Sequence, residues 1–120
     1  MDRPKLAFVT PGSFPVPSPT SSSVERVVVE TAKRLAGFAD VTVYGIVPSG
    51  HPARQVIDGV TYIRFPGKKG YLAGVIRHLS KSGVQLVQVE NRPRHARAIK
   101  QALPGLPVWL TLHSLTFVDP

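Results

Sequence analysis

Short apolar runs rich in β-branched residues alternate along this chain with longer stretches whose apolar positions recur at helical spacing, and that alternation confines it to an α/β fold. The first run, Leu6 to Val9, is continuously apolar, as in a strand buried on both faces of a parallel sheet. A helix is expected over Val24–Leu35 with Gly37 as its stop, then a strand of alternating type over Asp40–Val47. Arg54–Ile57 and Val60–Phe65, joined by an Asp58-Gly59 turn, read as a hairpin or as a strand with a small edge partner, ended by Pro66 and Gly67. Leu72, Val75, Ile76 and Leu79 predict an amphipathic crossover helix over Tyr71–Ser82, capped by Gly83. Val84–Val89 is a further compact strand. Pro93 suits the first position of a helix reaching about Leu103, with Ala96 and Ile99 on one face. After the Pro104–Pro107 break, Val108–Leu112 is the last strand, ending at His113 and Ser114.

Strands alternating with helices predict a doubly wound, mainly parallel sheet with helices on both faces and right-handed crossovers. The 120 residues, 42% hydrophobic and 18% charged, suffice for one domain with a real core. The sequence stops soon after a buried-type strand, so a fragment of something longer is expected.

The first connection carries the clearest functional signal. Residues 11–23 form a loop much longer than the roughly 2–6 residues usual in an α/β unit, and it is stiffened by Pro11, Pro15, Pro17 and Pro19. Ser22 and Glu25 make an S-x-x-E capping box, and the helix beyond directs free amides and a positive dipole end toward the strand's carboxyl edge, where an anion can bind. In open parallel sheets that edge is where ligands sit. The plainer alternative, serines that only cap and prolines that only shape a turn, stays open at this point.

Several classes are disfavoured. No G-x-G-x-x-G follows the first strand and no G-x-x-x-x-G-K-[ST] exists, against a dinucleotide-binding dehydrogenase and a P-loop nucleotidase. There is no G-x-S-x-G elbow and no carboxylate spacing that signals an acid/base pair. Without cysteine, and with His51, His78, His95 and His113 in no ligand spacing, a structural metal is not expected. No apolar run approaches a membrane span and the acidic, proline-rich start lacks a signal-peptide pattern, which leads to the expectation of a cytoplasmic protein. The net charge of +8 favours anionic partners, but the basic residues are dispersed and no nucleic-acid-binding module is present.

Two strand ends offer chemistry. His113, after the last strand, lies at the same edge as the first loop, where a neutral imidazole could position a hydroxyl or a developing charge; a structural role is the alternative. Glu90, Asn91 and Arg92 supply an acceptor, an amide and a cation after the strand ending at Val89, although Asn91 alternatively caps the helix opened by Pro93.

The strand ending in Thr10-Pro11, the Gly- and Ser-bearing loop, the helix ending Ala32–Leu35, the Val41–Tyr44 strand and the Leu110–Ser114 strand end together resemble the N-terminal half of a GT-B glycosyltransferase of the glycosyltransferase 4 (glycosyl transferase group 1) type. The likeness covers nearly the whole chain. Pro17–Arg26 is most similar to bacterial spore-coat polysaccharide enzymes of the spore coat protein SA type. The resemblance implies a Rossmann-like, acceptor-side domain of a two-domain enzyme that transfers a sugar, with retention, from a nucleotide-diphosphate donor to a hydroxyl acceptor without an essential metal or cofactor. It assigns Gly12, Ser21, Ser22 and Ser23 to the donor diphosphate, His113 to catalysis, and Glu90, Asn91 and Arg92 to the acceptor. The chain departs from the family pattern in carrying Gly12 alone where a Gly-Gly pair is common, and Glu90-Asn91 where many members place a histidine. The family's C-terminal donor domain is absent, so the isolated chain is expected to be inactive. A different class also fits, a non-enzymatic flavodoxin-like domain holding an anionic ligand or a protein partner. Peripheral membrane contact, spore-coat association and self-association of a fragment remain open as expectations.

Overall fold

The computed structural model describes residues 3–12, 23–47, 52–66 and 69–112. Among the described residues, six strands and three helices follow in the order β1 (Lys5–Val9), α1 (Ser23–Leu35), β2 (Asp40–Val47), β3 (Arg54–Ile57), β4 (Val60–Pro66), α2 (Tyr71–Ser82), β5 (Leu86–Glu90), α3 (Pro93–Ala102) and β6 (Val108–Thr111). They form one sheet of order β3-β4-β2-β1-β5-β6. All pairings are parallel except that of β3 with β4, whose register couples Ile57 to Val60 and Arg54 to Ile63. The expected α/β architecture with a Rossmann-like sheet is therefore present.

The central position expected for the first strand holds, because β1 lies between β2 and β5 and sends apolar side chains both ways. Ala7 and Val9 join one core with Tyr44, Ile63, Val87 and Val89, roofed by Tyr71, Val75 and Leu79 of α2 and Ile99 of α3. Phe8 joins the other with Val41, Val43, Val60 and Tyr62, roofed by Val28 and Ala32 of α1. Period-two alternation on strands buried from both sides yields two apolar faces, and each requires its own helical layer.

Local chemistry sets the turns. Asp58 and Gly59 both take positive φ, 52° and 79°, the requirement of a two-residue hairpin loop whose twist matches the strands, so the hairpin reading of β3 and β4 is the correct one. Gly83 ends α2 in the left-handed conformation, as its spacing indicated. Helix α1 ends at Leu35 as expected, but without a left-handed glycine. Gly37 is not left-handed; the Leu35 carbonyl accepts from the Phe38 and Ala39 amides, and the Arg3 guanidinium reaches the carbonyls of Ala36 and Ala39 (2.8 Å to Ala39) and the Asp40 carboxylate (3.0 Å), holding the turn that follows the helix. Strand β5 starts at Leu86, two residues later than expected: the Gln85 amide already donates to the Lys5 carbonyl (2.8 Å), but the Lys5 amide is taken by Gln85 Oε1 (2.9 Å) instead of the backbone. The outer strand β6 leaves Trp109 and Leu110 exposed. Among the described residues, no helix is long and apolar enough to cross a membrane.

Candidate functional site

Strand order reverses between β1 and β5. From β1 the chain moves outward through β2 to β4, then returns across the sheet to β5 and β6 on the other side. Connections from β1 and β5 leave toward opposite faces, α1 against one core and α3 against the other, which opens a crevice at the carboxyl ends of these two strands. Whatever the chain binds through its sheet should bind there.

One wall begins at Thr10, wholly buried, whose Oγ1 and amide both donate to the Tyr44 carbonyl, at 2.8 and 3.2 Å. Gly12 follows at φ 79°, also buried. A Cβ at this position would lie 2.9 Å from Cδ2 of Tyr71, so both the left-handed backbone and the ring pressed against it require glycine. Tyr71, first residue of α2 and 2% exposed, places its hydroxyl proton between the carbonyl oxygens of Tyr44 (2.9 Å) and Thr10 (3.0 Å). Burial above all, then the Glu25 carboxylate, push its ionisation well above the ordinary phenol range. Glu25 itself is wholly buried in the first turn of α1.

The facing wall comes from β5. Glu90, 1% exposed, accepts a hydrogen bond from Gln88 Nε2 at 2.7 Å. Asn91 is buried and left-handed at φ 56°, a conformation its residue type tolerates, and its amide donates to the Thr111 carbonyl at 2.8 Å, tying β5 to β6. The N-cap position of α3 belongs to Arg92, without a side-chain capping bond, while Pro93 opens the helix as expected. Asn91 therefore shapes the turn rather than capping α3. Half-buried Arg92 turns Nη1 onto the Asn91 carbonyl at 3.0 Å.

His95 completes this wall, and sequence reasoning passed over it as one of four unclustered histidines. Its ring stands 6.2 Å from that of Tyr71, tilted by 56°, and its Nδ1 is buried without a hydrogen-bond partner among the described residues. Burial, then the nearby Arg92 cation, hold it below the usual imidazole range, so it is neutral at pH 7. A usable signal was present: His95 is the third residue of a helix that follows a crevice strand, visible once strand order is known.

The structure thus brings Gly12, Glu90, Asn91 and Arg92 to one edge and adds Thr10, Tyr71 and His95. Ser21, Ser22 and His113 lie outside the described residues. Of Ser23 only the backbone is described, as the first residue of α1.

These ionisations dictate a pH profile. His78, which shares a 2.7 Å hydrogen bond with the Tyr44 hydroxyl, is depressed by burial and by Arg54, in parallel with His95. Depressed imidazoles bind fewer protons folded than unfolded, so stability is lost as pH falls from the unfolded value of 6.5 through their folded pKa values. Tyr44 and Tyr71 are raised chiefly by burial, and Tyr62 is pushed up to about 12, so stability is also lost as pH rises beyond the unfolded value of 10.0. Urea midpoints are expected to be highest on a plateau between those limits and to fall on either side; a midpoint still rising at pH 5 would contradict the neutral His78 and His95.

The chain resembles two bacterial proteins along nearly its whole length. It is 30% identical over 115 residues, 96% of this chain, to Putative glycosyltransferase YtcC of Bacillus subtilis (strain 168), and 29% identical over 113 residues, 94% of this chain, to Spore coat protein SA of the same organism. The glycosyltransferase resemblance read from the motifs is thus matched by similarity to named relatives. The chain spans 28% of the first relative and 30% of the second. No protein-family model matches it, and no solved structure matches it.

Proposed function

We propose that this chain is the acceptor-side, Rossmann-like domain of a retaining glycosyltransferase that moves a sugar from a nucleotide-diphosphate donor to a hydroxyl acceptor, in the synthesis of a cell-surface or spore-coat polysaccharide. The observation that carries this reading is the similarity to a protein named as a glycosyltransferase across 96% of the chain. Support comes from the crevice at the β1/β5 switch point, lined by the backbone turns at Gly12 and Asn91.

In this reading the donor diphosphate lies over the Gly12 turn and the start of α1, with Ser21, Ser22 and Ser23 at that helix end. The Glu25 carboxylate in the same turn keeps an anion from settling deeply there, leaving the diphosphate at the mouth of the crevice. Glu90, Asn91 and Arg92 face the acceptor, and His113 stands at the transferred sugar. A second domain, beyond residue 120, supplies the donor's nucleotide pocket. Closing two walls around both substrates provides an orientation term of about 7–11 kcal/mol, which a single wall cannot supply.

Residues 1–120 are therefore expected to show no sugar transfer with any nucleotide-diphosphate hexose, whereas the full-length parent releases nucleoside diphosphate in an acceptor-dependent way. A donor screen by released-nucleotide assay checks both. Turnover by the 120-residue chain would overturn the half-site description, and no turnover of any donor by the parent would overturn the transferase reading.

A further inference from the structure

Every other polar group of the crevice for which a bond is described is spent on the protein itself: the Tyr71 hydroxyl on two carbonyls, Thr10 Oγ1 on Tyr44, Glu90 on Gln88, Arg92 on Asn91. His95 Nδ1 and Glu25 Oε2 are buried without a hydrogen-bond partner among the described residues, and of these two side chains only the imidazole is a neutral group that can donate. With Nδ1 buried and without a partner among the described residues, a proton on Nδ1 would be a stranded donor, more costly than a stranded lone pair. The proton therefore belongs on Nε2, and the cationic form, which needs both nitrogens protonated beside Arg92, is disfavoured. Packing of the ring against Tyr71, which is itself held by Thr10 and Tyr44, fixes the imidazole to the carboxyl ends of β1 and β2 as well as to its own helix. The result is a neutral imidazole fixed at the edge of the sheet where topology opens a crevice.

We propose that His95 is a specificity-determining residue of this crevice, donating from Nε2 to a hydroxyl oxygen of an uncharged saccharide, the acceptor in the transfer described above. This rests on the transferase reading, and it assigns to the acceptor side a residue outside the Glu90–Arg92 group. A neutral donor suits a neutral hydroxyl. It discriminates little in favour of a phosphate, which is better served by cations.

The test is long-range 1H–15N NMR of the histidine side chains in the 120-residue chain, with maltose as the hydroxyl-only probe and uridine diphosphate glucose as the nucleotide probe. The expected result is an Nε2-protonated, neutral His95 at pH 7 whose signals move with maltose. In His95→Leu, maltose affinity falls about fivefold to tenfold, the equivalent of one hydrogen bond, while His95→Gln, which keeps a side-chain N–H near the Nε2 position, retains most of it. An unchanged urea midpoint and far-ultraviolet circular dichroism spectrum in both variants separate this role from a general loss of fold. If maltose shifts the Gly12 and Asn91 amides but leaves His95 unmoved, or if His95 is Nδ1-protonated, the assignment to His95 is wrong and the transferase reading stands. If neither probe shifts any crevice amide, the role of His95 falls, while the transferase reading is decided separately by the donor screen on the full-length parent.

Discussion

Tyr71→Ala is expected to lower the stability of the chain by about 3–5 kcal/mol, which for a domain of this size removes much of the total and leaves a substantial unfolded population. The side chain is almost fully buried at the meeting point of β1, β2, α2 and α3, edge-on to Phe65 at 6.0 Å and 73° and tilted against His95. Deleting it opens a cavity in the core that α2 and α3 share, and the neighbours that line it are held in place by the sheet. Tyr71→Phe isolates the hydroxyl. The Tyr44 carbonyl would keep its bonds from Thr10, and the Thr10 carbonyl alone would lose its described partner, so the loss should be only about 1 kcal/mol. Urea titration followed by far-ultraviolet circular dichroism gives both values. A Tyr71→Ala midpoint within 1 kcal/mol of the parent chain would mean that this ring does not hold the crevice to the core.

The second large effect is at Gly12. Gly12→Ala must place a Cβ 2.9 Å from the Tyr71 ring in a left-handed backbone at φ 79°. Left-handed strain of about 1–2 kcal/mol adds to an overpacking cost of about 1–3 kcal/mol, for a total near 2–4 kcal/mol. Gly105→Ala is the matched control, because nothing lies within 4 Å of a Cβ there and φ is not positive. Equal midpoints for the two alanine variants would show that the chain leaves β1 along a path other than the one described. Partial relief by displacement of Tyr71 would carry the damage to His95, so ligand binding should suffer in Gly12→Ala even where the fold survives.

The strength of these effects bears on what the sequence could disclose. Elements with strong local chemistry were legible nearly to the residue. Asp40–Val47 and Tyr71–Ser82 have the predicted bounds, since β-branched alternation fixes one and a four-residue apolar stripe closed by Gly83 fixes the other. The hairpin was legible from Asp58-Gly59 alone. Boundaries shifted where a distant residue takes part, as at the start of β5, where Lys5 of β1 bonds both the amide and the side chain of Gln85. The site followed the same rule. Gly12 and Glu90–Arg92 were readable because residues at the ends of apolar strands must lie at one sheet edge if the sheet is parallel. His95 and Tyr71 were not, because a single histidine and a helix-opening tyrosine carry no local pattern. Their meaning comes from the 6.2 Å approach of Tyr71 and His95, on different helices, which only the strand order creates.

The aromatic residues divide between core and edge in a way that gives the domain two separate optical reporters. All three tyrosines, Tyr44, Tyr62 and Tyr71, are wholly buried, while the single tryptophan, Trp109, stands 63% exposed on the outer strand β6. Indole emission is already close to that of a solvated side chain in the folded state, so it changes little on unfolding and strongly when anything covers the β6 edge. Phenol absorbance does the reverse, following the two cores and ignoring the edge. A molecule that settles against β6, whether another domain or a second copy, would be seen by one chromophore while the other certifies that the fold beneath has not changed.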